Sequence, residues 1–281
     1  MKGKVISISE LNPPNILYKF RCYNEQNAST LLEKKIFIPQ IKFFNDPYDA
    51  NLPFRYNPKE LTPENIYKKC LELSRFKCPN GDETFIQKEA YKLQETDPLN
   101  DDQHLERFDK LQFERLNSTF GVMCLTSNVH NFLMWSYYSN SHTGFCIGYN
   151  SQKLIESGLF GMGGEVLYSK KIPTYPLFTE HRSISFLNLL FTKSMVWKHE
   201  DEFRLIHTFK DGFVQKIDID FVDEIILGCK FDDKEALDFT TRVLNIFPHV
   251  TISKMRLKKE GFGLLKETLI DEKLRICFGP Q

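Results

Sequence analysis

The chain has 281 residues, 41% of them hydrophobic, which is enough for a sizeable core in one large domain or two small ones. Its 37 Lys and Arg balance its 37 Asp and Glu, so no global field draws in polyanions and general nucleic-acid binding is not expected. The start, Met1-Lys2-Gly3-Lys4, leads into no long apolar run, and nowhere are there about eighteen consecutive apolar residues, so neither a leader nor a membrane span is expected.

In chain order, residues 1–15 form a loose lead-in ending at Pro13-Pro14. Residues 16–21 alternate as a strand does, with Ile16, Tyr18 and Phe20 on one face and Lys19 and Arg21 on the other. A helix is predicted over 25–35 and a short strand over 36–38, stopped by Pro39. Asn45-Asp46-Pro47 is a turn, since Asn and Asp satisfy local backbone groups and Pro fixes a dihedral. Residues 60–117 read as a helical block, with helices over 61–76, 82–94 and 101–117. In the last, Leu105, Phe108, Leu111 and Leu116 recur near helical spacing. This block has the look of an insertion between the first strands and the rest of a sheet, as a lid or cap.

From residue 119 the pattern turns to strands, over 120–125, 144–149, 164–168, 202–208, 213–219, 224–227, 250–255 and 274–278. Helices are predicted over 131–139, 183–194, 233–247 and 262–269. Asp232 followed by Glu235 resembles a capping box with Asp in the capping place. The cluster Gly161-Met162-Gly163-Gly164 precedes a strand, not a helix, so it reads as a flexible hairpin and not as a phosphate cradle. Strands and helices mix without regular alternation, which predicts an α+β fold. The expectation is a single domain over 1–281, with a central mixed or antiparallel sheet built from 16–59 and 118–281 and a helical insertion at about 60–117.

The seven cysteines are scattered and none forms a Cys-x-x-Cys pair. Cys124, Cys146, Cys229 and Cys277 lie in apolar runs, where a reduced thiol acts as a small hydrophobe, so a cytoplasmic, reducing compartment is expected. Cys70 and Cys78 have no paired His nearby, and no metal site is expected. There is no P-loop, no dinucleotide-binding glycine motif, no nucleophile elbow and no His-Glu-x-x-His.

Two segments concentrate chemistry. In Trp197-Lys198-His199-Glu200-Asp201-Glu202-Phe203-Arg204-Leu205-Ile206, read as a strand, Phe203 and Leu205 face one way and Glu200, Glu202 and Arg204 the other. That charged face is either an ion-paired, solvated surface or the polar floor of a site, with a carboxylate that stabilises positive charge beside an Arg that orients an anion. The second segment, 133–144, carries Trp135 and Tyr138 on a helix followed by a polar turn with His142. Rings beside hydroxyls and an imidazole suit stacking on a flat ligand, and the same pattern suits a helix with its rings in the core. Lys19 and Arg21 offer a phosphate contact, and Asp46 or Asp49 a place at a site edge or in an Asx-turn.

The ordered landmarks resemble a known family. They are Leu17-Tyr18-Lys19-Phe20-Arg21, Phe44-Asn45-Asp46-Pro47-Tyr48-Asp49, Cys124-Leu125-Thr126-Ser127, Met134-Trp135-Ser136-Tyr137-Tyr138 with His142-Thr143-Gly144, Lys193-Ser194 with Trp197, Glu200, Glu202 and Arg204, and Ile225-Ile226-Leu227-Gly228-Cys229. Together, over about 16–256, they resemble the bacterial domain-of-unknown-function 2971 family, which implies no particular activity. A more distant likeness is to ADP-ribosyltransferase-like folds. It implies a basic residue on the first strand, Arg21 or Lys19, and a catalytic carboxylate on a later strand, Glu202 or Glu200, whose Glu-x-Glu spacing is similar to that of arginine-directed members. The first strand lacks the expected His, and Leu125-Thr126-Ser127 stands poorly for the Ser-Thr-Ser strand.

The function expected from these residues is an enzyme acting on a small nucleotide-like ligand, with NAD as the substrate of an ADP-ribosyl transfer. Glu202 and Glu200 are its catalytic carboxylates; Arg21, Lys19, Trp135, Tyr138, His142, Arg204 and Asp46 are its ligand-binding residues. No resident cofactor is expected. The alternative is a non-catalytic ligand-sensing or protein-interaction module, as in a phage-defence or stress system.

Overall fold

Nine strands hydrogen-bond into one sheet in the computed structural model, which describes residues 6–178, 187–208 and 213–270. In chain order the strands are β1 (Ile6–Ser7), β2 (Ile16–Arg21), β3 (Lys35–Phe37), β4 (Arg55–Tyr56), β5 (Phe120–Thr126), β6 (Phe145–Asn150), β7 (Met162–Glu165), β8 (Leu167–Ser169), β9 (Thr174–Tyr175), β10 (Thr192–Ser194), β11 (Glu202–Thr208), β12 (Val214–Lys216), β13 (Val222–Leu227), β14 (Thr251–Leu257) and β15 (Leu264–Ile270). The helices are α1 (Glu25–Leu32), α2 (Pro63–Lys77), α3 (Glu83–Glu95), α4 (Asp102–Thr119), α5 (Phe132–Tyr138), α6 (Ser151–Glu156) and α7 (Asp233–Ile246). The large sheet runs β1-β7-β11-β5-β2-β6-β13-β14-β15. Only β13 and β14 are parallel among these neighbours, and α7 makes the crossover between them. This is an α+β architecture around a mixed sheet, as the irregular alternation of elements predicts.

The sheet is nearly two sheets. β5 pairs with β11 along seven residues and β2 with β6 along six, but β2 and β5 meet at a single pair, Tyr18 and Thr126. Beyond that pair the strands part. The chain at 39–44 enters the gap, where Val122 N donates to Pro39 O at 2.9 Å and Gln40 bridges Gly121. One face of the sheet packs Leu17, Phe145 and Ile225 with Leu31 of α1 and Phe239 and Val243 of α7. On the other face Trp135 of α5 packs with Tyr18 and Phe20 of β2. Asp232 caps α7, its Oδ1 accepting from the backbone N–H groups of Lys234 and Glu235.

The helical block is capped by Thr62, Asp82 and Asp101, each accepting from a backbone N–H in the first turn of its helix. α2 and α3 bury Ile66, Cys70 and Ala90 between them, while Leu116 at the end of α4 joins Ile41, Val122 and Ile206 on the sheet. The block therefore packs on the sheet as a side element.

Three expectations are corrected. Residues 264–269, predicted within a helix, belong to β15, which pairs with β14 after a turn through Gly261 and Gly263, both at positive φ. A long-range ladder has overridden local helix propensity there. Residues 192–194, at the end of another predicted helix, are β10, parallel to β8; residues 183–186 of that helix lie outside the described residues, as does the predicted strand 274–278. The glycine cluster at 161–164 is not a flexible hairpin but strand β7, packed tightly beside β11. A Cβ on Gly163 would lie 2.8 Å from the Arg204 carbonyl oxygen, so only glycine lets the two backbones approach. Among the described residues no helix is long and apolar enough to cross a membrane.

Candidate functional site

The parting of β2 and β5 opens a cleft of about 510 Å³. Its floor is a cluster of five buried charges. Arg204, at the second position of β11's polar face, is fully buried. Its Nε donates to Glu202 Oε1 at 2.7 Å, its Nη2 to Asp49 Oδ1 at 2.6 Å and to Glu202 Oε2 at 3.0 Å, and its Nη1 to the Leu190 carbonyl at 2.5 Å. The Lys193 ammonium, from β10, lies 2.5 Å from Glu200 Oε2 and 3.1 Å from both Glu202 Oε2 and Asp49 Oδ2. Three carboxylates thus share two cations, and Asp49, Glu200, Glu202 and Lys193 line the cleft.

The carboxylates differ in character. Burial pushes the Glu202 carboxyl upward, but the Arg204 guanidinium and the Lys193 ammonium outweigh burial and hold it below the usual carboxylate range. Glu200 is raised: burial leads, the Glu202 charge adds to it, and Lys193 and the Tyr138 hydroxyl offset only part. Tyr138 donates to Glu200 Oε1 at 2.5 Å, and burial beside that carboxylate raises the phenol above its ordinary range. Two carboxylates two residues apart are thereby pushed in opposite directions, as acid–base chemistry requires.

The walls are aromatic. Tyr137, Tyr138, Trp197, Phe43 and Phe44 line the cleft. The Tyr137 and Trp197 rings meet edge to face at 6.5 Å, and Lys193 Nζ lies 5.2 Å from the Trp197 ring centre. From β2, Lys19 enters the cleft with its Nζ donating to the Cys124 carbonyl at 2.8 Å. No lining residue of the cleft comes from the 60–117 block, so that block is not its lid.

Of the residues singled out from sequence, Lys19, Tyr138, Glu200 and Glu202 come together on this cleft, with Arg204 beneath them. The charged face of β11 is not a solvated surface, since Glu200, Glu202 and Arg204 are all buried. Glu200 is not part of the strand. It ends a 3₁₀ turn, Met195–Glu200, and Asp201, in the left-handed region at φ 43°, redirects the chain before β11 begins. The carboxylates reach one floor because of that turn and not because of strand alternation.

Four of the chosen residues lie elsewhere. Trp135 is fully buried against Phe20, ring centres 4.9 Å apart, and its Nε1 donates to the Val129 carbonyl; it is a core residue and has no face for a ligand. His142 sits in a left-handed turn at the end of α5, with Nε2 3.0 Å from Ser136 Oγ and its ring against Phe132. Arg21 points its guanidinium toward the Phe37 carbonyl, 3.5 Å away and off the cleft. Asp46 forms the Asx-turn, Oδ1 accepting from Tyr48 N at 2.9 Å, and it is Asp49 that reaches the floor. Lys193, Trp197 and Tyr137 were not chosen. Lys193 precedes Glu200 by seven residues on another strand, and no local period connects them; the sequence signal for it is its place, with Trp197, among the ordered landmarks of the family resemblance.

Among the described residues no group of three or more His, Cys, Asp or Glu side chains is arranged to hold a metal ion. Neither the curated proteins nor the solved structures contain a match to this chain. The family model described as "Protein of unknown function (DUF2971)" matches residues 134–205. That segment supplies Tyr137, Tyr138 and Trp197 of the cleft's walls and Lys193, Glu200, Glu202 and Arg204 of its floor, so the similarity to the domain-of-unknown-function 2971 family extends over part of the cleft.

Proposed function

We propose that the chain is an enzyme that takes a small nucleotide-like molecule into the cleft, and that ADP-ribosyl transfer from NAD is the reaction best suited to it. The observation that carries this reading is the convergence of Glu200 and Glu202 on the floor of an aromatic-walled hollow. The nicotinamide ring of NAD is flat and positively charged. Tyr137 and Trp197 offer it ring faces and edges, and the carboxylates below offer it the opposite charge. Lys19 is the cleft's cation for an anionic part of the ligand.

In the transfer, the bond between ribose C1′ and the nicotinamide nitrogen breaks, its electron pair leaves with nicotinamide, and an acceptor's lone pair closes on C1′. Positive charge grows on the ribose as the bond breaks. Glu202, held ionised by Arg204 and Lys193, is the group to stabilise it. Glu200, with its raised affinity for a proton, aligns the acceptor and receives the proton it sheds. The test is release of nicotinamide from NAD by the full chain and by Glu202→Gln. The variant is expected to keep its circular dichroism spectrum and lose turnover; turnover equal to that of the native chain rejects the mechanism.

One observation favours a second reading, a non-catalytic ligand-sensing or protein-interaction module. Both oxygens of Glu202 are already engaged, Oε1 by Arg204 and Oε2 by Arg204 and Lys193, so the cluster also suits a structural keystone. On that reading the native chain releases no nicotinamide, and Glu202→Gln lowers the Tm without any reaction being lost.

A further inference from the structure

Lys19 stands apart from the other cations around the cleft. Lys193 is ringed by three carboxylates and Arg204 is held by two. The Nζ of Lys19 instead donates to a neutral acceptor, the Cys124 carbonyl oxygen, and among the described residues no carboxylate lies within ion-pair distance of it. The side chain is half-buried and lines the cleft. The titratable groups that face it are Arg21 on its own strand, Cys124 on β5, and Glu200 and Glu202 from the 200–202 segment. Burial first and the Arg21 charge second bring its amine down to about 8, against smaller upward pulls from Cys124, Glu202 and Glu200. An amine made less basic by burial and a cationic neighbour has a lone pair free near neutral pH, the condition under which lysines attack carbonyl compounds.

We propose that Lys19 is a nucleophilic amine that forms an imine, within the cleft, with a ligand carrying an aldehyde or ketone, the open-chain form of a sugar being the class that fits. The nitrogen lone pair attacks the carbonyl carbon and forms the C–N bond. The carbonyl oxygen takes the two amine protons and leaves as water. Uptake of one solvent proton gives an iminium whose N–H again has the Cys124 carbonyl to donate to, while Glu200 and Glu202 offset its charge. Tyr138 and Asn45 on the same cleft supply hydrogen-bonding groups for sugar hydroxyls. The inference goes beyond the NAD reading and does not need it, since the imine forms with no glycosidic bond broken.

The test uses the native full chain with glycolaldehyde and cyanoborohydride, which reduces any imine to a stable amine, followed by peptide mass spectrometry. At neutral pH, Lys19 is expected to be labelled about tenfold faster than the exposed Lys170 and Lys171, the gain in neutral amine outweighing its lower basicity. The Lys19 rate is expected to level off above a pH of about 8, while theirs keeps climbing. Labelling of Lys19 no faster than those two, or in parallel with them through the alkaline range, overturns the proposal. Because the native chain is assayed, no variant has to fold for either result. Nicotinamide release is measured separately: an adduct on Lys19 with no release upholds this inference and rejects the NAD reading, and release without an adduct does the reverse.

Discussion

In the helical block, Lys68 pairs with Glu64 and Arg75 with Glu83, at 2.6 and 2.8 Å, with every one of those side chains more than half exposed. On the floor of the cleft, Arg204 and Lys193 meet Asp49, Glu200 and Glu202 at 2.5–3.1 Å with no side chain more than 4% exposed. The residue types and distances are alike, and the energetics are opposite. Water around the block screens each pair and hydrates either partner when the other is lost, so the pairs are dispensable. On the floor, each charge has given up its water and depends on its partners, so loss of one leaves others buried and uncompensated. The cluster ties together β10, β11 and the turn that carries Asp49 through its side-chain ion pairs.

The largest break in this comparison should come from Arg204→Met, which leaves Asp49, Glu200 and Glu202 buried with Lys193 as the cluster's remaining cation. A loss of about 3–5 kcal/mol is expected in denaturant unfolding. Glu202→Gln should be milder, about 1–3 kcal/mol, because it leaves two cations facing two carboxylates. It also tests the sign of the linkage. Glu202 has its folded pKa held below the unfolded value, so its contribution is present above the unfolded carboxylate range of about 4 and is lost as pH falls through the folded one. The Tm gap between native chain and variant should therefore be widest near neutrality and close in acid; a gap independent of pH would mean that the charge is not what stabilises. Glu200 has the opposite sign, its raised pKa making the ionised form the costly one as pH rises.

Tyr138→Phe sharpens the contrast between the two glutamates. It removes the donor on Glu200 Oε1, so Glu200 should move further upward in a carboxyl NMR titration, with a stability loss of about 1–2 kcal/mol, while Glu202 should not move. The smallest effect is expected from Arg75→Ala in the helical block, no more than about 1 kcal/mol in the same denaturant assay. If Arg75→Ala were as costly as Arg204→Met, the distinction between floor and block would fail.

How much of this was legible before the fold? The strand alternation at Ile16–Arg21 and Glu202–Thr208 was read correctly, because period-two alternation survives wherever the two faces of a strand meet different surroundings. The three helices of the block were also legible, since caps and helical spacing are local. β15 was misread because Leu264–Ile270 has no local strand signal; its pairing with β14 is decided across a turn. Within the site, the two tryptophans have different surroundings. Trp135 lies in the denser aromatic segment, but that helix turns it into the core, whereas Trp197 follows a strand and stays at the cleft. Asp46 and Asp49 are three residues apart in one turn, and only the folded turn tells which carboxylate reaches Arg204.

Sequence by itself determined the mixed α+β character, the helical block and the presence of a dense group of carboxylates and cations near Glu202, because composition, spacing and caps act within a few residues. Tertiary structure alone decided that this group is buried, that Lys193 and Asp49 complete it, and that β2 and β5 part to leave a hollow above it. Burial and convergence depend on contacts between residues that are far apart along the chain, such as Asp49 and Arg204, and no local pattern encodes how far such residues stand from water or from one another.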